Sequence, residues 1–297
     1  MKNLKLAAVC LSCLTMTGCS ALNFSVEGLI NAPKLTSEQS EIHQALIESV
    51  GSNITLKYPK NGEYRSAYVI ANIDDEPTDE AMVFYEYTSN GSEEDGLRVN
   101  ILDKDEKGKW YSVKELAGAG TDIDQVIISP MGSNNQTDVF VGYQNLTNDE
   151  KTMEIYSYTD GDFKRVALDT YSVLEPLDIN NDGYIELITI QRSTNNDTGA
   201  VTAKASMLNM KNNEITRGEN VDMCDNVTSY VSSKTGMLDS GRRAIFIDGL
   251  TADGKLQTEI IYYRYSGLQN PMQLRSEKLL PLCTRPAGYY SEDMDGD

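Results

Sequence analysis

The stretch "LDINNDGYIEL", Leu177 to Leu187, carries the clearest local pattern in this 297-residue chain. Its oxygen-bearing side chains alternate around a glycine: Asp178, Asn180, Asp182, Gly183 and Glu186. Asp and Asn favour turns because their side chains hydrogen-bond to nearby backbone, and glycine adopts the conformations that a sharp turn requires. Apolar residues flank the stretch on both sides, so it predicts a hairpin that joins two strands and gathers several oxygen atoms in its loop.

The same alternation of strand-like runs and turn residues extends over most of the chain. From about residue 53 onward, strand-like runs alternate with clusters of Gly, Asn and Asp, and they fall into four groups of four. The groups span residues 64–116, 123–168, 171–221 and 228–278. Hairpin turns inside them are predicted at Lys107-Gly108, Asp160-Gly161, Lys211-Asn212-Asn213 and Asp253-Gly254. This pattern predicts an all-β domain over residues 52–297.

The turn between the first and second strand of each group recurs at a roughly regular interval. It begins near Asn72, Ser129, Asp178, Ser232 and Asp293, roughly every 50 to 60 residues. A four-stranded unit repeated at this spacing is typical of a β-propeller blade. We therefore expect a β-propeller of about four blades plus the start of a fifth; a β-sandwich or an irregular all-β array is the alternative.

The chain stops inside the loop that would open the fifth unit, at Asp297. A propeller usually has about four to eight blades, so we expect the sequence to be a truncated propeller. The strand-like run "ITLKYP", residues 54–59, precedes the first group. We expect it to complete the last blade of the longer protein.

The hairpin loop at 178–186 also offers the ligands that a hard cation needs. Asp178, Asn180 and Asp182 fill positions 1, 3 and 5, Tyr184 supplies a carbonyl at 7, and Glu186 supplies a carboxylate at 9. Ca²⁺ takes six or more oxygen ligands at about 2.3–2.6 Å. The loop therefore predicts a calcium site, and the alternative is an ion-free turn rich in Asp and Asn.

This loop resembles the calcium loops of FG-GAP/VCBS-type propeller repeats, as in integrin α-subunits, whose pattern is D-x-[DN]-x-D-G-x-x-[DE]. The resemblance implies Ca²⁺ as the bound ion. Pro77 replaces the glycine in the first group, so the resemblance implies a weaker site there, at Asn72, Asp74, Glu76, Thr78 and Glu80. It implies a truncated site at Asp293, Asp295 and Asp297. The corresponding loops of the second and fourth groups lack the acids.

The N-terminus has the features of an export signal. Lys2 and Lys5 precede a short apolar run within residues 1–18, and the run is too short for a permanent membrane span. The segment ends in Met16-Thr17-Gly18-Cys19, which resembles the lipobox of a bacterial lipoprotein, with Met16 as a departure. The resemblance implies cleavage before Cys19, a lipid on its thiol and a membrane anchor; an ordinary secretory signal is the alternative. Residues 19–33 would form a tether.

Residues 34–51 predict one helix. Thr36 or Ser37 would cap its start, an apolar stripe runs from Ile42 to Val50, and Gly51 would end it. The chain has a single histidine, His43, which excludes a Ser-His-Asp triad and a His-rich metal centre. We expect His43 on the helix surface.

The charge composition limits the classes of partner that the chain can bind. Lys and Arg number 26 against 45 Asp and Glu, for a net charge of −19, so nucleic acid is excluded as a partner. Beyond the N-terminal signal, no apolar run approaches membrane-spanning length.

Cys224 and Cys283 either form a disulfide or remain two thiols.

These features favour a non-catalytic module on the outer face of a bacterial membrane: a calcium-binding propeller for adhesion or scaffolding, with a protein or glycan ligand, and not an enzyme. One alternative is an extracytoplasmic polysaccharide-active enzyme, whose catalytic acids would come from a scattered set: Glu80, Glu86, Asp122, Asp124, Glu175 and Glu259. Another alternative is an accessory subunit of an envelope complex. Tyrosine clusters at residues 84–87 and 262–265 would stack on sugar rings or pack on the strands.

Overall fold

The computed structural model describes residues 35–74, 76–88, 96–130, 137–145, 150–195, 197–211, 214–225, 227–239, 242–270 and 273–276. Over these residues the chain forms one helix and eighteen strands, and the strands make four antiparallel sheets of four or five strands each. None of the described helical segments is long and apolar enough to cross a membrane. The prediction of an all-β fold with one short N-terminal helix is confirmed at this level.

The helix α1, Ser37–Val50, begins at a reciprocal cap. The Gln39 backbone N–H donates to Thr36 Oγ1, and the Thr36 backbone N–H donates to the Gln39 side-chain oxygen, each at 3.1 Å. This pair satisfies two backbone donors that the first turn otherwise leaves open, so Thr36 is the cap. At the other end Gly51 adopts a positive φ of 85° and donates to the Ile47 carbonyl at 3.0 Å, which ends the helix as predicted.

The second half of α1 packs on the first sheet. Ile42 and Leu46 are fully buried and share an apolar cluster with Val83 and Trp110. His43 does not stand on an open helix surface as predicted: it is half-buried, and its Nδ1 lies 2.8 Å from the Tyr68 hydroxyl. The histidine therefore belongs to the contact between helix and sheet.

The first sheet contains five strands: β1 Ile54–Leu56, β2 Tyr68–Ala71, β3 Glu80–Tyr87, β4 Leu97–Lys104 and β5 Trp110–Ala117. β2 pairs with the first half of β3, so that Tyr68 lies opposite Val83. β1 pairs with the second half of β3, with Ile54 opposite Tyr87. The expectation that residues 54–59 complete a distant last blade is therefore wrong. β2 is too short to cover β3, and β1 takes the backbone groups that remain.

The second and third sheets follow chain order. The second contains β6 Asp122–Ser129, β7 Asp138–Gln144, β8 Lys151–Thr159 and β9 Asp162–Tyr171. The third contains β10 Val173–Leu177, β11 Glu186–Thr194, β12 Val201–Lys211 and β13 Glu214–Asp222. The predicted turn at Asp160-Gly161 joins β8 to β9 with φ values of 56° and 73°. Two positive φ angles mark the turn type that matches the twist of a tight hairpin.

The fourth sheet departs from the sequence prediction in two places. Its strands are β14 Val227–Asp239, β15 Arg242–Thr251, β16 Leu256–Arg264, β17 Gly267–Gln269 and β18 Gln273–Ser276. The predicted turn at Ser232 lies inside β14, where Ser232 pairs with Asp248. The predicted fourth strand at residues 271–278 is preceded by a strand that was not predicted, β17, and β17 and β18 pair with different halves of β16.

Each sheet packs against the next one in the chain. One buried cluster joins the first and second sheets, with Phe84 and Val141 among its members. Another joins the second and third sheets through Phe140 and Leu187. A third joins the third and fourth sheets, and Ile190 belongs to it. The core is therefore a series of interfaces between consecutive sheets.

Candidate active site

The first strands of three successive sheets line one pocket. β6, β10 and β14 contribute to its wall, and the lining is completed by the loop at residues 61–62, by Lys151 and by Ser172. The pocket has a volume of about 490 Å³, which lies in the range of ligand-binding clefts. Its lining combines carboxylate, ammonium, amide and hydroxyl groups with a few apolar side chains.

Asp124 anchors this pocket. A register shift in the pairing of β6 with β7 falls between Ile123 and Gln125, so Asp124 occupies a β-bulge. Bulges redirect a side chain and are common beside functional sites. The side chain of Asp124 is only 1% exposed, and a buried carboxylate requires partners.

Three donors satisfy the Asp124 carboxylate. Asn61 Nδ2 and Lys151 Nζ each donate to Oδ1 at 2.8 Å. The Tyr171 hydroxyl donates to Oδ2 at 2.6 Å. These donors come from a loop and two further strands, so one carboxylate fixes the relative positions of three chain segments. Lys151 Nζ also lies 5.6 Å from the centre of the Tyr171 ring.

A glycine on β7 makes room for this network. A Cβ atom at Gly142 would lie 2.1 Å from the Tyr171 hydroxyl oxygen, well inside van der Waals contact. Only glycine therefore lets the Tyr171 hydroxyl reach Asp124.

Glu175, on β10, is the second carboxyl group of the pocket. The Ser233 hydroxyl of β14 donates to its Oε1 atom. Burial raises the pKa of Glu175 above its ordinary value; the Ser233 hydrogen bond and the Lys151 charge oppose this rise, and the Asp124 charge adds to it. A carboxyl group with a raised pKa in a cleft is a typical general acid.

Of the six acids proposed from the sequence, the structure places two in the pocket and four outside it. Asp124 and Glu175 line the pocket, whereas Glu80, Glu86, Asp122 and Glu259 do not. Asp122 and Glu86 form ion pairs with Lys57 at 3.6 Å and 2.8 Å. Glu259 is buried and accepts a hydrogen bond from the Cys224 backbone.

The loop at 178–186 joins four of the five predicted calcium ligands by hydrogen bonds among themselves. Asn180 Nδ2 donates to Asp182 Oδ2 at 3.0 Å and to Glu186 Oε1 at 2.8 Å. Asp178 Oδ1 accepts from the Asp182 backbone at 3.0 Å, and Gly183 has a φ of 94°. Burial raises the pKa of Glu186. The side chain of Tyr184 is 57% exposed.

The donor chemistry of this loop fits a hard cation in part. An amide N–H₂ group lies between two carboxylates, at a place where a cation would find the same oxygen atoms. Arg243 already supplies a positive charge to Asp178, at 3.1 Å from Oδ2. Among the described residues, no group of three or more His, Cys, Asp or Glu side chains is arranged to hold a metal ion.

The weaker loop at 72–80 repeats one contact of the stronger loop. The Ile73 backbone donates to Glu80 Oε2 at 2.8 Å, as the Ile179 backbone donates to Glu186 Oε2 at 3.1 Å. Burial raises the pKa of Glu80 to about 7. The remaining predicted ligands form local turn contacts or stay at the surface: Asn72 donates to the Glu76 carbonyl, Asp74 accepts from the Glu76 backbone, and Thr78 is exposed.

Other predicted residues lie outside the described part of the chain. These are the lipidation candidate Cys19 and the acids Asp293, Asp295 and Asp297. Cys224 is buried, while Cys283 is also outside the described residues, so the choice between a disulfide and two thiols stays open.

Three partners of Asp124 were not predicted from the sequence: Asn61, Lys151 and Tyr171. They lie 63, 27 and 47 residues away from it, and no local pattern connects residues at such distances. A signal was nonetheless present, because Asp124 interrupts a run of buried strand residues. A charged residue in such a run points to a paired or functional site.

Comparisons with known proteins give matches in structure alone. No family model matches the chain, and no curated protein matches it. A candidate 6-phosphogluconolactonase from Bacteroides fragilis has 11% identity and a TM-score of 0.34 over 76% of this chain and 68% of its own. A second one, from Bacteroides uniformis, has 15% identity and a TM-score of 0.35 over 74% and 67%. A periplasmic gluconolactonase from Pseudomonas aeruginosa has 10% identity and a TM-score of 0.28 over 75% and 76%.

These matches correct two predictions. The sequence predicted a non-catalytic binding, adhesion or scaffold module, and it predicted that the chain is not an enzyme. All three structures are described as lactonases, so neither prediction is kept, and the likeness gives this chain no activity. At these identities and TM-scores the likeness assigns neither a substrate nor a catalytic residue. Those assignments rest on the pocket.

Proposed function

We propose that the chain is a hydrolytic enzyme that cleaves an ester or lactone bond of a polyhydroxylated, carbohydrate-type substrate. One observation carries the proposal: Glu175 opens onto the pocket beside the ion pair of Lys151 and Asp124. Glu175 supplies a carboxyl group whose pKa is raised by burial, and Lys151 supplies N–H donors that Asp124 holds in place. These are the two groups that addition of water to a carbonyl needs most.

The reaction follows from the chemistry of these groups. Water adds to the carbonyl carbon, and the oxygen that becomes negative is stabilised by the Lys151 ammonium, which has three N–H donors and uses one on Asp124. Glu175 donates its proton to the departing alcohol oxygen. The Glu175 carboxylate then takes the proton that the added water loses, which restores the acid. The bond between carbonyl carbon and alcohol oxygen breaks, and the products are a carboxylic acid and an alcohol.

Asp124 is better suited to position Lys151 than to react. Its carboxylate accepts three hydrogen bonds and is almost fully buried. A glycosidase of the common kind needs two carboxyl groups that both reach the substrate. The pocket offers one such group, so acyl transfer to water is favoured over cleavage of a glycosidic bond.

The lining favours a substrate with many hydroxyl groups. Asn61 and Gln125 offer amides, and Ser172 offers a hydroxyl group. Amide and hydroxyl groups both donate and accept hydrogen bonds, as sugar hydroxyls do. Val173 and Pro176 add apolar surface for the carbon face of a sugar ring.

The test is turnover of a panel of sugar lactones, acetylated sugars and nitrophenyl glycosides, with Glu175→Gln beside the wild type. We expect hydrolysis of lactones or esters, and a loss of kcat of about 10²–10⁴-fold in Glu175→Gln. Glu63→Gln, an exposed acid, is the matched control and should keep full activity. Equal rates for Glu175→Gln and wild type, or no turnover of any compound, would overturn the proposal.

We propose in addition that the four sheets are blades of a β-propeller with FG-GAP/VCBS-type loops. Two observations support this finer description: first strands of successive sheets line one pocket, and the same Ile-to-Glu contact recurs in two hairpin loops. Calcium at the loop of Asp178 and Glu186 remains a proposal, supported by the grouping of its oxygen donors.

The anchor is likewise a proposal. A lipid on Cys19 would hold the enzyme at the outer face of a bacterial membrane, and the membrane would be its partner there. The support is the sequence of residues 1–19, with its lysines, apolar run and cysteine.

A further inference from the structure

The described lining of the pocket contains no unpaired positive charge. Among its described lining residues, three are of the Asp, Glu, Lys or Arg type: Asp124, Lys151 and Glu175. Lys151 and Asp124 form an ion pair at 2.8 Å, and their charges cancel. Glu175 is a carboxyl group and adds no positive charge.

The two lysines that precede Asn61 in the chain are likewise paired with carboxylates. Lys60 pairs with Asp122 at 2.7 Å, and Lys57 pairs with Glu86 at 2.8 Å. Each of these lysines already has a carboxylate partner, so neither offers an uncompensated positive charge. The described lining and these ion pairs therefore present hydrogen-bonding groups without excess positive charge.

We infer that the pocket selects uncharged sugar-type ligands and rejects their phosphorylated or carboxylated counterparts. Proteins bind phosphate with Arg or Lys side chains or with converging backbone N–H groups. The described lining has one such cation, and Asp124 holds it. A phosphate in this pocket would lose its hydration without gaining a counter-charge, and it would lie close to two carboxyl groups.

This inference rests on the proposed function for the identity of the site, and it adds a consequence for the reaction cycle. Hydrolysis of an ester or lactone turns a neutral substrate into a carboxylate. The product then carries a charge that the pocket does not pair. Product release is consequently favoured, and the sugar acid should be a weak inhibitor.

The test measures binding without turnover, by calorimetry on the wild-type protein with matched pairs of probes: neutral hexoses and their 6-phosphates. We expect the neutral hexose to bind at least about tenfold more tightly than its phosphate ester, because unpaired charge in a desolvated site is strongly disfavoured. Equal or tighter binding of the phosphate ester, or binding of neither compound, would overturn the inference.

A variant tests whether the Lys151–Asp124 ion pair is the cause of this selectivity. Asp124→Asn, made together with Glu175→Gln so that Glu175 cannot take its place, keeps the shape of the side chain but leaves the Lys151 charge uncompensated. Inorganic phosphate should then bind measurably to the variant and not to the wild type. If this double variant does not fold, the wild-type comparison decides alone. Binding of inorganic phosphate to the wild type contradicts the inference, whereas unchanged turnover in Glu175→Gln contradicts the proposed function and leaves the binding comparison intact.

Discussion

Glutamine at position 80 should remove a pH-dependent penalty on folding. Glu80 is only 3% exposed, and its burial raises the pKa from 4.5 to about 7, against the opposing hydrogen bond from the Ile73 backbone. The folded state therefore holds this proton more tightly than the unfolded state does. Stability contributed by the protonated group is complete below about pH 4.5 and is lost as the pH rises towards 7.

The size of the effect follows from these two values. Each pKa unit corresponds to about 1.4 kcal/mol. Between pH 5 and pH 8, Glu80 should cost the folded protein roughly 2 to 3 kcal/mol. Glu80→Gln has no proton to lose, so its free energy of unfolding should fall less over this range. The absolute stability at pH 5 depends on how well the amide fits, but the difference in pH dependence does not.

The assay is urea unfolding of wild type and Glu80→Gln at several pH values from 5 to 8. Glu106→Gln, in an exposed turn, is the matched control and should follow the wild type. Parallel curves for Glu80→Gln and wild type would refute the argument that burial of this carboxyl group governs its protonation.

Three further predictions concern packing, the ion and the anchor. Gly142→Ala should lower the free energy of unfolding in urea by about 1–3 kcal/mol, since the new methyl group meets the Tyr171 hydroxyl; Tyr171→Phe should recover part of this loss, and a fully additive double variant would contradict it. Calcium at a hundredfold excess over Kd should stabilise the wild type by about 2.7 kcal/mol in thermal unfolding. Asp182→Ala should abolish that gain and Ser129→Ala should keep it, whereas no gain in the wild type argues against an ion. Cys19→Ser should abolish incorporation of a labelled fatty acid during bacterial expression, and retained label would exclude lipid on this thiol.

Local chemistry made much of the fold predictable. The hairpin loops at Asp160-Gly161 and at Asp178 follow from residues that prefer turns, and the structure contains both. Helix α1 follows from its cap at Thr36 and its stop at Gly51. Each of these signals acts within a few residues of chain, which is why sequence reveals it.

The fourth sheet shows where such reasoning fails. The run "SSKTG", residues 232–236, has the composition of a turn, yet it forms the middle of β14. Pairing with β15 supplies hydrogen bonds for its backbone, and Ser232 Oγ donates to the buried Asp248. Tertiary pairing thus overrides a weak local preference.

The pocket was predictable only in fragments. Asp124 and Glu175 belonged to a set of six acids, and nothing in their spacing distinguished them from the other four. Asp124 and Glu175 come to line one pocket only through the packing of whole sheets, since Glu175 contacts Ser233 from a different sheet. Local sequence patterns do not contain that geometry.

The bulge at Asp124 has a consequence for how the molecule is assembled. Its donors Asn61 and Tyr171 are 63 and 47 residues away, and the pocket wall also needs β10 and β14. Contacts between such distant residues form late in folding, because the loop between them must close first. A chain that has folded only its first sheet has no pocket. During synthesis from the N-terminus, the pocket wall should therefore be complete only after β14 has emerged.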